Sequence, residues 1–162
     1  MAMDESERFM FERVTGGADL DGVAELEARC FTNPWTREML AGELARSDVA
    51  HVFVLRPRGH LIVAFCTCWI IVDELHINTI AVDERHRRSG LAAHLMRQVM
   101  AEAARRGATR ATLEVRESNV AARRLYESLG FAVTAVRPEY YTRPVETALV
   151  LWREGLMPGP DP

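Results

Sequence analysis

Residues Ile77 to Met100 read INTIAVDERHRRSGLAAHLMRQVM, and this stretch decides the fold. It begins as an apolar strand, Ile77 to Val82, and then breaks into a charged turn. After Ser89-Gly90 it continues as a helix with apolar residues at helical spacing: Leu91, Leu95 and Val99. The N–H groups and dipole of a helix N-terminus attract anions, and glycine lets a phosphate approach the backbone. This order of elements predicts a phosphate or pyrophosphate site.

Two common phosphate-binding motifs are excluded at this turn. A P-loop needs G-x-x-x-x-G-K-S/T, but the chain contains no lysine. A dinucleotide fingerprint needs G-x-G-x-x-G, and only Gly90 is present. Arg87 to Ala92 instead matches R/Q-x-x-G-x-G/A, which resembles the acetyl-CoA pyrophosphate loop of the GCN5-related N-acetyltransferases (GNATs). Taken alone, so short a pattern fits an ordinary basic turn equally well.

The composition is typical of a soluble globular protein. Of the 162 residues, 48% are hydrophobic and 27% charged, which predicts a single domain with one core. We expect this domain at residues 9–156, between a flexible N-terminus, residues 1–8, and a disordered tail, residues 157–162. No apolar run approaches the ~20 residues of a membrane-spanning helix, and the start MAMDESERF lacks signal-peptide features. We therefore expect a cytoplasmic protein that contacts no membrane.

Charge divides the chain into an acidic first part and a basic second part. Up to Ile80 there are 7 Arg and 13 Asp or Glu, and from Ala81 onward 13 Arg and 10 Asp or Glu. The basic part favours an anionic ligand and the acidic part a cationic substrate, whereas direct nucleic-acid binding is not expected. The cysteines have neither metal-site nor disulfide spacing, so we expect no metal and place Cys66 and Cys68 in the core.

Periodicity and capping signals predict eleven elements in the order β-α-α-β-β-β-α-β-α-β-β. The predicted strands are Phe9 to Val14, His51 to Leu55, Leu61 to Val72, Leu75 to Val82, Ala111 to Arg116, Phe131 to Val136 and Glu146 to Trp152. The predicted helices are Asp19 to Cys30, Thr36 to Arg46, Gly90 to Arg106, and a last helix from Ser118 or Asn119 to Leu129. Asp19 and Thr36 are expected to cap, Met39 to be buried, and Tyr140-Tyr141 to lie in a loop. The order predicts a mixed α/β fold with helices on both faces of the sheet.

A second stretch makes a family resemblance specific. Residues 113–131 contain LEVRESN, a pair of alanines and LYESLGF. With the loop Phe31 to Trp35, TIAVD at Thr79 to Asp83, and Tyr140-Tyr141, this pattern resembles the bacterial ribosomal-protein-alanine N-acetyltransferases (RimI type) over most of the chain. The resemblance implies the GNAT fold, a mostly antiparallel sheet of about seven strands, and acetyl-CoA as cosubstrate.

The resemblance also implies roles for individual residues. The backbone of Ile80, Ala81 and Val82 would face the pantetheine arm and the thioester. The pyrophosphate would be held by Arg87, Arg88, Ser89, Gly90, Leu91, Ala92 and Ala93. Asn119 would bind the CoA arm, Glu114 would be the general base and Tyr126 the general acid. The acceptor would contact Trp35, Tyr140 and Tyr141.

Elementary chemistry agrees with these roles. An α-amine has a pKa near ~8, below the ~10.4 of lysine, so a carboxylate acting directly or through water suffices as base. A tyrosine of pKa ~10 can protonate a thiolate whose conjugate acid has a pKa of ~8.5. The N–H of Val82 is a candidate oxyanion donor, and direct attack requires no cysteine nucleophile.

Each residue also has a structural interpretation that the sequence leaves open. Glu114 fits a solvated strand carboxylate, Tyr126 a core ring and Asn119 a helix N-cap. The aromatic residues of the acceptor side fit the core or the sheet edge: Trp35, Tyr140 and Tyr141.

Two departures from the family pattern concern the loop and the acceptor. Ala92 replaces the usual second glycine, and Arg143-Pro144 followed by VETA replaces an acidic pair before the last strand. We expect transfer from acetyl-CoA to the N-terminal α-amine of a protein, such as a ribosomal protein beginning with alanine, by a monomer or weak dimer. The alternatives are a small-molecule amine as acceptor, or a non-catalytic CoA-binding module.

Overall fold

The computed structural model describes residues 8–46 and 48–159. The strands are β1 (Phe9–Arg13), β2 (Ala50–Pro57), β3 (Ala64–Ile71), β4 (Glu74–Val82), β5 (Arg110–Arg116), β6 (Ala132–Thr142) and β7 (Val145–Glu154). The helices are α1 (Gly17–Cys30), α2 (Arg37–Leu44), α3 (Leu91–Arg105) and α4 (Val120–Ser128), with a short 3-10 turn at Glu84–His86. Residues 1–7 of the expected flexible N-terminus and residues 160–162 of the expected tail lie outside the described residues.

The strands form one sheet in the order β1-β2-β3-β4-β5-β7-β6. Every neighbouring pair of these strands is antiparallel except β4 and β5, which are parallel. The predicted mixed, mostly antiparallel sheet of about seven strands is therefore confirmed, as is the predicted order of the elements.

Alternation along the strands sends side chains into two cores. On β2, Val52 and Val54 pack with α1 and α2, whereas Phe53 and Leu55 pack with α3 on the other face. Helices thus cover both faces, as predicted. Cys66 and Cys68 lie together in the α3 core, which confirms their assignment as small core residues.

The predicted N-cap is present in α2 but not in α1. The hydroxyl of Thr36 accepts the N–H of Met39 at 3.2 Å, so its predicted cap is confirmed. The predicted cap at Asp19 is wrong because α1 begins earlier, after Gly16, and Asp19 pairs with Arg56 at 2.7 Å. Met39 was expected to be buried but is 47% exposed, because this short helix buries only its Leu40 side.

The last hairpin is longer than the sequence predicts. Tyr140 and Tyr141 lie on β6 rather than in a loop, since β6 runs to Thr142. Between Arg137 and Tyr141, β6 takes four steps while β7 takes two, from Ala148 to Glu146. This irregularity absorbs the extra residues without ending the strand, and such a bulge leaves no sign in hydrophobic periodicity.

The described residues offer neither a membrane-spanning helix nor a metal cluster. None of their helices combines the length and apolar character that crossing a bilayer requires. Within the same residues, no three His, Cys, Asp or Glu side chains are grouped so that they could hold a metal ion.

His51 gives the fold a pH dependence that can be measured. It lies on β2, 3% exposed, and burial, aided by the charges of Arg13 and Arg106, lowers the pKa of His51 to about 4. Glu102 and Asp48 oppose this shift. Since an unfolded histidine has a pKa of ~6.5, the unfolded chain binds more protons between these values. The free energy of unfolding should therefore fall as the pH is lowered from about 6.5 to 4.

Urea denaturation at several pH values within this window tests the effect. His51→Gln should remove one titrating group, so its free energy of unfolding should depend less on pH than that of the wild type, by up to about 1.4 kcal/mol per pH unit. His60→Gln, at an exposed turn position, is the control and should keep the wild-type slope. Equal slopes for His51→Gln and the wild type would contradict the assignment.

Candidate functional site: a cleft at the splayed end of β4

β4 and β5 separate at their carboxyl ends. They pair only from Glu74 to Ile77 on β4, opposite Arg110 to Leu113 on β5. β4 continues to Val82 and stays paired with β3 on its other side. The edge of β4 at residues 78–82 therefore faces a gap rather than a strand, and backbone groups at such an edge need a hydrogen-bonding partner.

A β-bulge at Asn78 marks the point of separation. Ile77 is paired with Cys68 and Thr79 with Thr67, so Asn78 has no opposite residue on β3. A bulge bends its strand and increases the local twist. The extra residue therefore directs the end of β4 away from β5.

A cavity of about 280 Å³ occupies this gap, and we call it the donor cavity. The predicted cofactor residues in its wall are Ile80, Ala81, Val82, Arg87, Ala92, Asn119 and Tyr126. The other lining residues, which no sequence pattern had assigned to a site, are Cys30, Phe31, Ala122 and Leu125. Ala122 and Leu125 follow Asn119 at helical spacing, a signal that could have identified them.

The turn that follows β4 is anchored by Asp83. Its carboxylate accepts the backbone N–H of Arg85 at 3.0 Å and Nη2 of Arg29 at 3.1 Å. The hydrogen bond from the Arg85 side chain is the main reason that the pKa of Asp83 lies below its ordinary value. Nearby, Nε of Arg87 donates to the carbonyl oxygen of Val82 at 3.2 Å. These contacts fix the course of the backbone from β4 into α3.

The N-terminus of α3 is open to an anion. Gly90 precedes the helix with a φ of 79°, and no side chain caps it. Arg88 also has a left-handed φ, 60°, a conformation that costs a non-glycine residue about 1 kcal/mol or more. Of the other predicted loop residues, Leu91 is buried, Ala93 is partly buried, and the Ser89 hydroxyl donates to a backbone carbonyl of the turn.

Asn119, just before α4, and Tyr126, within α4, both line the donor cavity with polar groups. The side-chain oxygen of Asn119 accepts the N–H of Ala122 at 3.2 Å, so Asn119 is the N-cap of α4 as well as a lining residue. Tyr126 is 7% exposed and meets Phe131 edge-on, with ring centroids 6.0 Å apart. Burial raises the pKa of Tyr126 well above its ordinary value. Its phenol therefore keeps its proton at neutral pH and is available as a donor.

A second cavity, of about 300 Å³, lies across β4, and we call it the acceptor cavity. Thr79 lines it whereas Ile80 lines the donor cavity, and consecutive strand residues point to opposite faces. Phe31 borders both cavities, and the predicted acceptor residue Trp35 lies in the wall of the second. The remaining lining residues are Glu27, Thr32, Asn33, Arg116 and Arg143.

Glu27 is the candidate that the sequence analysis missed. It lies on α1, is 4% exposed, and its Oε1 accepts the N–H of Trp35 at 3.1 Å. Burial raises the pKa of Glu27, and the hydrogen bond from Trp35 lowers it in part. Because Glu27 follows Val23 by four residues, helical periodicity places it on the buried stripe of α1, and this was the available signal.

Arg116 holds the turn between β6 and β7 beside the acceptor cavity. It donates to the carbonyl oxygens of Arg143 at 3.5 Å and Pro144 at 3.3 Å, and it pairs with Glu146 at 3.4 Å. Its guanidinium also lies 4.0 Å from the ring centre of Tyr141. The sequence at this turn departs from the family pattern, and these contacts show how the chain holds it in place.

Glu114 lies outside both cavities. It precedes Arg116 by two residues on the same face of β5, and its side chain is 38% exposed. Its Oε1 is 3.8 Å from Nη1 of Arg137, whose guanidinium also lies over the exposed ring of Tyr140 at 5.7 Å. The structure thus places the predicted base and Tyr140 next to the acceptor side rather than in its wall.

A third cavity, of about 360 Å³, is larger than the other two but contains no predicted site residue. It lies between residues 57–63 and the turn from Asp83 to His86. It touches neither the free edge of β4 nor Tyr126, so we do not assign it to the same site.

The donor cavity fits acetyl-CoA by three features of this chain. The free edge of β4 can pair with the amide groups of the pantetheine arm, and the open N-terminus of α3 beside Arg87 and Arg88 suits a pyrophosphate. Tyr126, which lines the cavity, would offer a protonated hydroxyl to the sulfur. When bound, acetyl-CoA supplies an activated acetyl thioester.

Comparison with known proteins agrees with this geometry. The model of the acetyltransferase (GNAT) family matches residues 20–131, more than half of the chain. A ribosomal protein bS18-alanine N-acetyltransferase from Escherichia coli (strain K12) is 35% identical over 123 residues, covering 76% of this chain and 81% of that protein. A Bacillus subtilis (strain 168) protein provisionally given the same name is 37% identical over 134 residues, covering 83% of this chain and 88% of that protein.

A solved structure shows the same fold. The crystal structure of the ribosomal-protein-S18-alanine N-acetyltransferase from Escherichia coli matches with a TM-score of 0.82 and 31% identity, covering 95% of this chain and 98% of that one. These similarities confirm the resemblance and the fold class predicted from the sequence.

Adding one negative charge in the first turn of α3 tests whether the donor cavity binds the phosphates of CoA. Ala92→Glu should weaken CoA binding at least tenfold, about 1.4 kcal/mol, because its carboxylate would stand in the first turn of α3 where the phosphates are expected. Gln98→Glu adds the same charge further along α3 and should bind CoA as the wild type does. Titration calorimetry with CoA measures both, and unchanged affinity in Ala92→Glu would place the phosphates elsewhere.

Proposed function

The chain belongs to the acetyltransferase (GNAT) family, and we propose that its acceptor is the N-terminal α-amine of a protein. Its activity is acetyl-CoA-dependent N-acetyl transfer. The proposal is carried by the two cavities on opposite sides of β4, which come together at Thr79, Ile80 and Phe31. A donor can enter from one side and an acceptor from the other, so that the amine approaches the thioester across the strand.

A ribosomal protein beginning with alanine is the proposed acceptor. The Escherichia coli relative is named for the alanine of ribosomal protein bS18. The acceptor cavity, about 300 Å³ and lined by Trp35 and Phe31, has room for an alanine and the peptide group that follows it. The exposed turn at Arg143 leaves space for the polypeptide that follows this residue. Such a substrate would place the protein in the cytoplasm.

The residues of the chain support direct transfer without a covalent enzyme intermediate. The amine nitrogen attacks the thioester carbon, and the free N–H groups at the end of β4, with that of Val82 as the candidate, stabilise the oxygen. Tyr126 then protonates the departing thiolate. Glu114 is the proposed general base, and because it lies outside the acceptor wall it would act through water.

Peptide acetylation tests the acceptor. The wild type should acetylate a short peptide beginning with Ala and leave the same peptide with a blocked N-terminus unmodified, as measured by mass spectrometry of the product. Turnover of small amines without any α-amine peptide would favour a small-molecule acetyltransferase. CoA binding without turnover of either the peptide or the small amines would identify a non-catalytic module. Both of these outcomes contradict the proposal.

The variant Tyr126→Phe tests whether Tyr126 is the general acid that protonates the thiolate. Removing the hydroxyl should lower kcat by about a hundredfold or more, because the thiolate then leaves without a proton donor. CoA affinity should remain within about twofold, since the ring stays in place. Ser128→Ala removes a hydroxyl from the exposed side of the same helix and should leave kcat unchanged. Equal kcat for Tyr126→Phe and the wild type would show that another group donates the proton.

A further inference from the structure

Glu27 has features that anchoring a loop does not require. The residue is 4% exposed, and its carboxylate accepts the N–H of Trp35, which fixes the loop after α1. A neutral glutamine would accept that N–H equally well, and burying a charge costs far more than burying an amide. The loop alone therefore does not explain why the buried group is ionisable.

The position of Glu27 indicates what else it does. It lines the acceptor cavity together with Thr79. The next residue along β4, Ile80, lines the donor cavity. The other charged groups in the same wall are Arg116 and Arg143. Arg116 is already bonded to Glu146 and to backbone carbonyls. Glu27 is the carboxylate among these lining residues, so it is the group in this wall that would attract an incoming ammonium.

We propose that Glu27 binds the acceptor ammonium in the acceptor cavity and takes its first proton. This inference rests on the proposed function and adds a catalytic residue to it. Glu114, 38% exposed and 3.8 Å from a guanidinium, lies outside the cavity wall and would take only the second proton of the amine, through water. Burial raises the pKa of Glu27, which makes it a stronger base than an ordinary glutamate.

The proton balance of the step is complete. An N–H bond of the ammonium breaks as an O–H bond forms on Glu27, and the freed lone pair attacks the thioester carbon. The C–S bond breaks, and the thiolate takes the proton of Tyr126. The second proton lost by the nitrogen passes through water to Glu114 and from there through water back to Tyr126, and Glu27 releases its proton to solvent. The products are an amide, a free thiol and one proton.

Glu27→Gln separates the chemical role from the structural one. The glutamine oxygen still accepts the N–H of Trp35, so the loop should keep its order. We expect kcat/KM for an Ala-initiated peptide to fall at least tenfold near pH 6.5. The deficit should shrink above about pH 8, because the α-amine then arrives without its extra proton. CoA affinity should not change, since Glu27 is absent from the donor cavity wall.

Glu25→Gln is the matched control, because Glu25 is exposed on the same helix. It should follow the wild-type pH profile. If Glu27→Gln also follows that profile, Glu27 only anchors the loop and the proposal is wrong. A loss of activity that is equal at all pH values, with altered Trp35 fluorescence, likewise assigns it a structural role. If instead the wild type acetylates no α-amine, the proposed function fails, and this result is separate from any variant.

Discussion

The separation of β4 from β5 is the constraint on which the rest of the structure depends. Up to Ile77 the two strands satisfy each other's backbone groups, and beyond the bulge at Asn78 they do not. A sheet edge inside a protein needs a partner, and here no further strand provides one within the described residues. The free edge of residues 78–82 is therefore a structural cost in the free protein, and it is the surface that we propose for an extended, amide-bearing ligand.

The same separation divides the site into two sides. Because the side chains of consecutive strand residues alternate, Thr79 and Ile80 face different cavities while their backbone lies between both. In the proposed reaction the sheet would thus keep the donor and acceptor apart except at the reacting atoms. Asp83 fixes the turn that leads to the open start of α3, where we propose that the far end of the donor binds.

The elements of the fold and several residues of the candidate site could be predicted from the sequence because local patterns encode them. α3 has a strong apolar period and a glycine at its start, so its buried face and its start after Gly90 could both be predicted, whereas anion binding at that start stays a prediction. Glu27 was not predicted as a site residue because a charged side chain interrupts the apolar period of α1, even though it lies on the buried side of the helix. Tyr140 and Tyr141 were placed in a loop because a bulge allows the strand to continue past irregular sequence. The separation at Asn78 arises from pairing between distant strands, which no local pattern encodes.

Amide hydrogen exchange along β4, with and without CoA, tests the central claim most directly. Amides of residues 78–82 that face the donor cavity should exchange faster in the free protein and become protected when CoA binds. Amides from Glu74 to Ile77, already paired in the sheet, should change little. If CoA binds without protecting any amide of residues 78–82, the free edge of β4 is not the binding surface and the account is wrong.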